Sequence, residues 1–296
     1  MARTVQDCAT LLEVIAGTDR IDDRQPYNWP QGHVKFGQEL KKYLDNSKTP
    51  LKGIKVGILV EGFPGTLTDP NVAAASKSAV SKLAELGADV NWVSIPLYKY
   101  SGVIWMVGMS MGCMTQNLLS NPSGRKQLLF SDRAALVGTL SQEAFDALGF
   151  GGQNVYLREL FLQERFGSPL HARCTNLRRK LSDEYDRTLK DVDVPVMSTC
   201  IFPPRKIEKE GGKSLRPLKM PRRTIGIPYN TAPFSSSDHP ALTLPASFVP
   251  AKDDKSVWLP TGLRIVGRKF ADLTVLKVAG CWEKANDWKA MKYGGE

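Results

Sequence analysis

Between Gly53 and Pro96 the apolar residues change their period twice, and that change limits what the chain can become. Ile54 to Val60 reads as a strand. Asp69 and Pro70 then supply a helix N-cap and a first-turn proline, and Val72, Ala75, Ala79, Leu83 and Leu86 mark a helical stripe that Gly87 closes. Ala88 to Ile95 is a second strand, with Val90 and Trp92 on one face and Val93 and Ile95 on the other. Strand, helix and strand within about 42 residues predict a parallel pair joined by a crossover, hence an α/β fold. The loop Glu61 to Gly65 leaves the first strand's carboxyl end, where such folds often bind ligands.

The closing third adds two more strands. Pro240 and Pro245 bound Ala241 to Leu244, a short apolar run, and Gly262 to Arg268 alternates Leu263 and Ile265 against Arg264 and Val266. Phe248 to Leu259, with Lys252, Asp253, Asp254 and Lys255, is expected to be a hydrated loop joining them.

Read in order, NTAPF, HPALTLP and LPTGLRIVGR resemble the closing segment of the amidase signature family, in the branch of acetamidases and nitrile-pathway amidases. Met1 to Gly17 is similar to the helix that follows that family's catalytic region, and Gly53 to Pro64 and Thr175 to Asp186 also fit. The resemblance weakens between Gln127 and Gln163 and between Arg205 and Arg223. It implies one amidase-type domain over residues 1–296, a mixed sheet flanked by helices, and a lineage that hydrolyses linear carboxamides to acid and ammonia without a cofactor. In that family a lysine and a serine-rich loop carry the nucleophile, the second serine and the oxyanion hole, all ahead of the segment with which this sequence begins. The resemblance therefore assigns no catalytic residue here. Loss of a serine nucleophile costs about 10⁶ in turnover, roughly 8 kcal/mol, so the expectation is a chain inactive alone. A sheet lacking its first strands would associate through its exposed edge.

What the resemblance leaves is the wall of a substrate pocket, with Trp105, Asn230 and Thr231 as candidate contacts. The residues alone also allow Trp105 to be ordinary core and Asn230 a turn cap. The family usually has glycine before the histidine-proline pair where this chain has Asp238, so a strained turn is expected there.

Gly108-Met109-Ser110-Met111-Gly112 fits the GxSxG nucleophile elbow, which makes Ser110 the alternative nucleophile, with Asp193 and His239 downstream. Against that, Ile104, Val107, Met111, Met114 and Leu118 form a helical stripe straight through the motif, and an elbow needs a sharp break. A non-catalytic binding module is the remaining alternative. Ser235-Ser236-Ser237-Asp238-His239 holds three triad residue types within five positions, too close to align, and reads as a polar turn. His33 and His171 are isolated, and no histidine or cysteine spacing suggests a metal.

The net charge of +10 invites a nucleic-acid reading. Between Arg165 and Thr224, however, 15 Lys and Arg face 7 Asp and Glu, so the excess is local. Much of it falls in 205–223, an expected exposed loop without the aromatic platforms of single-strand binders. Five scattered cysteines without a CxxC suggest reduced thiols in a cytoplasmic protein, and no apolar run approaches the ~18 residues of a membrane span. Ser168 and Pro169 are expected to start a long helix through Leu189, Val192 to Cys200 a strand, and Phe270 to Trp288 the last helix.

Overall fold

The computed structural model describes residues 1–18, 34–46, 50–113, 141–206 and 226–287. A five-stranded mixed sheet organises them: β1 (Lys55–Leu59), β2 (Asp89–Val93), β3 (Val194–Ser198), β4 (Ala241–Pro250) and β5 (Trp258–Val266), in the order β2-β1-β3-β5-β4. β1 runs parallel to both β2 and β3, and β5 is antiparallel to β3 and β4. The βαβ unit is present as expected. Its helix α3 (Pro70–Glu85) is capped by Asp69, whose Oδ1 accepts from the Asn71 and Val72 amides at 2.9 and 3.4 Å.

Helices α1 (Val5–Ile15), α2 (Phe36–Asn46), α3 and α8 (Asp272–Ala285) cover one face of the sheet. There Val56, Val194, Val196, Leu263 and Ile265 meet Ala79, Leu83, Val278 and Trp282 in the larger core. Helices α4 (Ser101–Cys113), α6 (Gly149–Thr188) and α7 (Ala232–Ser237) lie on the other face, and α5 (Gln142–Ala147) packs against α6. On that face Leu59, Met197 and Val266 meet Tyr98, Leu181, Tyr185, Leu189 and Phe234. The alternation in β5 therefore decides two cores at once, Leu263 and Ile265 facing one and Val266 the other.

Several boundaries differ from expectation. β4 does not stop at Leu244 but runs on through Pro245 to Pro250, so the hydrated loop shrinks to 251–257. Prolines are tolerated because β4 is an edge strand, bonded only to β5, and its register shifts between Pro245 and Ser247. The long helix starts at Gly149 rather than Ser168, with a break at Gly167 (φ 61°, ψ −166°) just before Pro169. The last helix is Asp272–Ala285 within the described residues. In α1 the apolar stripe is only partly covered: Val5 and Ala9 are buried, while Leu11 and Ile15 are 45% and 69% exposed. The basic loop, apart from Arg205 and Lys206, lies outside the described residues, as do His33, Met114 and Leu118.

Candidate functional site

The parallel strands β1 and β3 end side by side, and the two segments that leave them are tied together by one buried amide. Asn230 is fully buried. Its Nδ2 donates to the Gly62 carbonyl at 2.9 Å, beyond the end of β1, and to the Ser198 carbonyl at 2.7 Å, at the end of β3. Ser198 Oγ lies 3.1 Å from the same nitrogen. The Asn230 Oδ1 accepts from Tyr98 Oη at 2.7 Å, and that hydroxyl also lies 3.3 Å from Met197 Sδ. A carboxamide is the side chain for this position, because only an amide offers two N–H donors and an acceptor on one small plane. All its polar atoms are spent inside the chain.

Thr231 is half-buried and stands at the N-cap of α7 without a side-chain capping bond. Trp105 is half-buried on α4, which packs against α7. The structure thus brings α4, which carries Trp105, and the turn and N-cap of α7, which carry Asn230 and Thr231, to one side of the sheet. Tyr98 was not among the candidate pocket residues, although it is the fully buried partner of Asn230. Burial first and Tyr229 second hold its phenol well above the ordinary range, so it acts as a neutral donor.

Ser110 lies inside α4, which is helical from Ser101 to Cys113. Its buried Oγ accepts from Arg158 Nε at 2.6 Å. Gly108 faces α6, and a Cβ there would make only ordinary contacts, 3.6 Å from Arg178 Cδ and 3.9 Å from Cys174 Cβ, so the packing of the two helices does not depend on glycine. Among the described residues, Ser110 makes no hydrogen bond to a histidine or carboxylate.

A second polar group sits where α6, α7 and the start of α8 meet. Lys269 Nζ donates to Ser182 Oγ at 2.7 Å and to Asp186 Oδ2 at 3.3 Å. Ser182 Oγ gives its own proton to the Ser237 carbonyl at 3.0 Å. His239 Nε2 contacts Asp186 Oδ1 at 3.2 Å. Serine, lysine, aspartate and histidine are all present, yet the connectivity is wrong for nucleophilic attack. The ammonium is paired with Asp186 and donates to the hydroxyl instead of accepting from it. The polar turn expected at Ser235 to His239 is a short helix, α7, followed by Asp238 in the left-handed region at φ 61° and ψ 26°. The strain expected at this position is therefore in the backbone.

Around Asn230 and the second core, other polar atoms are buried without partners: Tyr185 Oη, Ser236 Oγ, Ser237 Oγ, His239 Nδ1 and Arg264 Nε. Burial lowers the His239 imidazole below its usual value, with Asp186 opposing that shift. Cys8, Cys174, Cys200 and Cys281 are free thiols, and burial pushes Cys281 up to about 11. Among the described residues no cluster of His, Cys, Asp and Glu could hold a metal, and no helix is long and apolar enough to cross a membrane.

The family model described as Amidase matches residues 1–276. The chain belongs to the amidase family. A glutamyl-tRNA(Gln) amidotransferase subunit of Microcystis aeruginosa is 29% identical to this amidase-family chain over 290 residues, covering 97% of the chain and 54% of that protein. Its counterpart in Chlorobium phaeobacteroides is 29% identical over 283 residues, with 94% and 54% covered. Among solved structures, a bacterial aryl acylamidase of the amidase signature family superposes with a TM-score of 0.70 at 20% identity, over 97% of the chain and 52% of that enzyme. The 6-aminohexanoate cyclic dimer hydrolase gives 0.68 at 22% identity, over 99% and 55%. These likenesses show the α/β fold. The amidase-family chain spans about half the length of the curated relatives it matches.

Proposed function

We propose that this chain forms the supporting wall of an amidase active site, and that the complete site hydrolyses a linear carboxamide to the carboxylic acid and ammonia. The observation that carries this reading is the family match across residues 1–276. The geometry supports the word wall. Asn230 clamps the ends of β1 and β3, and α4 and α7 bring Trp105 and Thr231 to the same side. These three residues are the proposed pocket-side elements, Asn230 by holding the rim in place and Trp105 and Thr231 by contact.

On its own the chain does not turn over amides. Among the described residues, Ser110 is held by Arg158 inside a helix and Ser182 is held by a donating ammonium. Neither has a base to take its proton, a defect that pocket walls do not repair. The attacking serine and its lysine come from outside these 296 residues, and the free edge of β4, beside which Leu11 and Ile15 of α1 stand exposed, is where the segment carrying them joins.

The test is a turnover assay with simple carboxamides on the purified chain, with and without a co-expressed segment carrying the family's lysine and serine-rich loop. Ammonia release is expected only from the pair. Labelling of the chain alone by a fluorophosphonate, abolished by Ser110→Ala or Ser182→Ala, would overturn the reading.

A further inference from the structure

The N-terminal half of α6, from Gly149 to the break at Gly167, is turned inside out. Glu159 is only 1% exposed and its Oε1 has no hydrogen-bond partner, while Arg158 reaches inward to donate from Nε to Ser110 Oγ at 2.6 Å. Leu157, Leu160 and Phe161, in contrast, are 57%, 48% and 59% exposed. Spaced by three and four residues, they form one stripe on the outer face of the helix. Phe166, also exposed, extends it, its ring meeting that of Phe161 edge-on at 6.4 Å. A helix packed by its own chain alone turns leucine and phenylalanine inward and leaves carboxylates in water. The reverse arrangement marks a stripe whose cover is another surface.

The charges at the two ends of the stripe decide which surface. At its N-terminal end stands α5, held beside α6 by Gln153, whose Nε2 donates to the Phe145 carbonyl at 3.2 Å. This short helix presents Glu143 and Asp146, both exposed, and the side-chain partner of Asp146 is the neutral Gln142 amide at 2.9 Å. At the other end Arg165 is exposed, and past the break so are Arg173 and Arg179, with Glu164 the acid among them. Glu143, Asp146, Arg165 and Arg173 form no ion pair among the described residues. Acid, apolar stripe and base in that order make a surface complementary to itself when turned end for end. A twofold axis through the stripe sets the acidic end of one copy on the basic end of the other. An anionic membrane, in contrast, would meet Glu143 and Asp146 at one end of the stripe.

The geometry points to this face as the contact between two copies of the chain, the N-terminal halves of α6 antiparallel across a twofold axis and Leu157, Leu160 and Phe161 at its centre. The contact is carried by α6, whereas the free edge of β4 runs beside α1, so it goes beyond the amidase reading and does not rest on it.

Sedimentation velocity of the full chain over a range of concentrations tests the contact. A monomer–dimer equilibrium is expected, which Leu160→Glu and Phe161→Glu each weaken by at least about tenfold, as loss of a central apolar anchor does. Arg165→Glu sets like charges together at the rim and should weaken the dimer by about threefold. Adding Asp146→Lys to it should restore the parent affinity. All four positions are exposed, so the monomer keeps its fold, which far-ultraviolet circular dichroism checks. Leu11→Glu, beside the free edge of β4, should leave the dimer unchanged. The proposal is overturned by a chain that is monomeric at every concentration, by association that Leu11→Glu removes and the helix substitutions do not, or by an Arg165→Glu defect that Asp146→Lys deepens. It is overturned as well if Leu160→Glu stops the chain from retaining a co-expressed catalytic segment, since the stripe would then belong to that segment. The readout is mass and not turnover, so failure of amide hydrolysis leaves the dimer standing, and a monomeric chain leaves amide hydrolysis standing.

Discussion

The two faces of the sheet are built on different physics. On the face covered by α1, α2, α3 and α8 the contacts are aliphatic, and its largest ring, Trp282, satisfies its indole by donating to the Ala79 carbonyl at 2.9 Å. The face under α4, α6 and α7 is aromatic and polar: Tyr98, Tyr185, Phe234 and His239 pack ring against ring at centroid distances of 5.0 to 6.3 Å. Of the buried polar atoms without partners, Ser76 Oγ belongs to α3, whereas Tyr185, Ser236, Ser237, His239 and Arg264 gather on or beside the second face. An unsatisfied buried group costs about 1–3 kcal/mol, so a face that keeps several is not optimised for stability alone. One side holds the sheet together, and the other keeps polar groups that its own packing leaves unsatisfied.

The largest effect that separates the faces is expected from Asn230→Ala. It strands the Gly62 and Ser198 carbonyls and Tyr98 Oη in one step, which by the cost of each buried orphan amounts to about 3–5 kcal/mol. Leu263→Ala on the aliphatic face removes a fully buried side chain and is expected to cost about 2–5 kcal/mol as well. The two variants part at the aromatic packing. Leu263→Ala should leave the tyrosine near-ultraviolet circular dichroism of the remaining folded protein unchanged, while Asn230→Ala should weaken it, because Tyr98 loses the acceptor that orients its ring. Urea denaturation beside the spectrum checks this, and equal spectra for both variants would erase the division of labour.

The aliphatic face is far more legible in the sequence than the polar one. Periodicity marks α3 and both of its strands, because Val72, Ala79 and Leu83 obey a local rule and Asp69-Pro70 announces the start. β4 reads too short because Pro245 and Pro250 are breakers only where a strand must donate on both sides, and an edge strand need not. α2 escapes a local reading: Phe36 and Leu40 are buried against partners far along the chain, and nothing nearby marks the end of the preceding loop. The Asn230–Tyr98 bond joins residues 132 positions apart, and no spacing rule links them. Trp105, Asn230 and Thr231 come from a family resemblance, while Tyr98 and Arg264 need coordinates.

A smaller effect is expected from the side-chain protonation of the polar face. His239 faces Asp186 and Lys269 from neighbouring elements and Asp238 beside it, and burial depresses its imidazole despite the carboxylate. The unfolded chain, with an ordinary histidine near 6.5, takes up this proton before the folded one does. Stability from this group is thus present above about pH 6.5 and is lost as pH falls below that value, until the folded imidazole also titrates. The difference in unfolding free energy between pH 7.5 and 5.5 should shrink in His239→Gln. An unchanged difference would mean that the buried ring does not carry the linkage.

The smallest effect is at Asp238, and it tests whether the polar face stores strain in its backbone as well. Its φ of 61° and ψ of 26° place a residue with a Cβ in the region that glycine occupies freely, directly after α7 and before His239. The left-handed conformation costs a side-chain-bearing residue roughly 1–2 kcal/mol, less for aspartate, which visits it more readily than most. Glycine also gives the unfolded chain more freedom, which offsets part of the relief. Asp238→Gly is therefore expected to stabilise by about 0.5 kcal/mol, whereas Asp238→Val should destabilise, since a β-branched residue tolerates this region poorly. A neutral or destabilising Asp238→Gly, measured by urea midpoint at constant m-value, would show that the aspartate is held there by an interaction stronger than the strain. The turn before His239 would then count as part of the polar network rather than as a bend that the network merely tolerates.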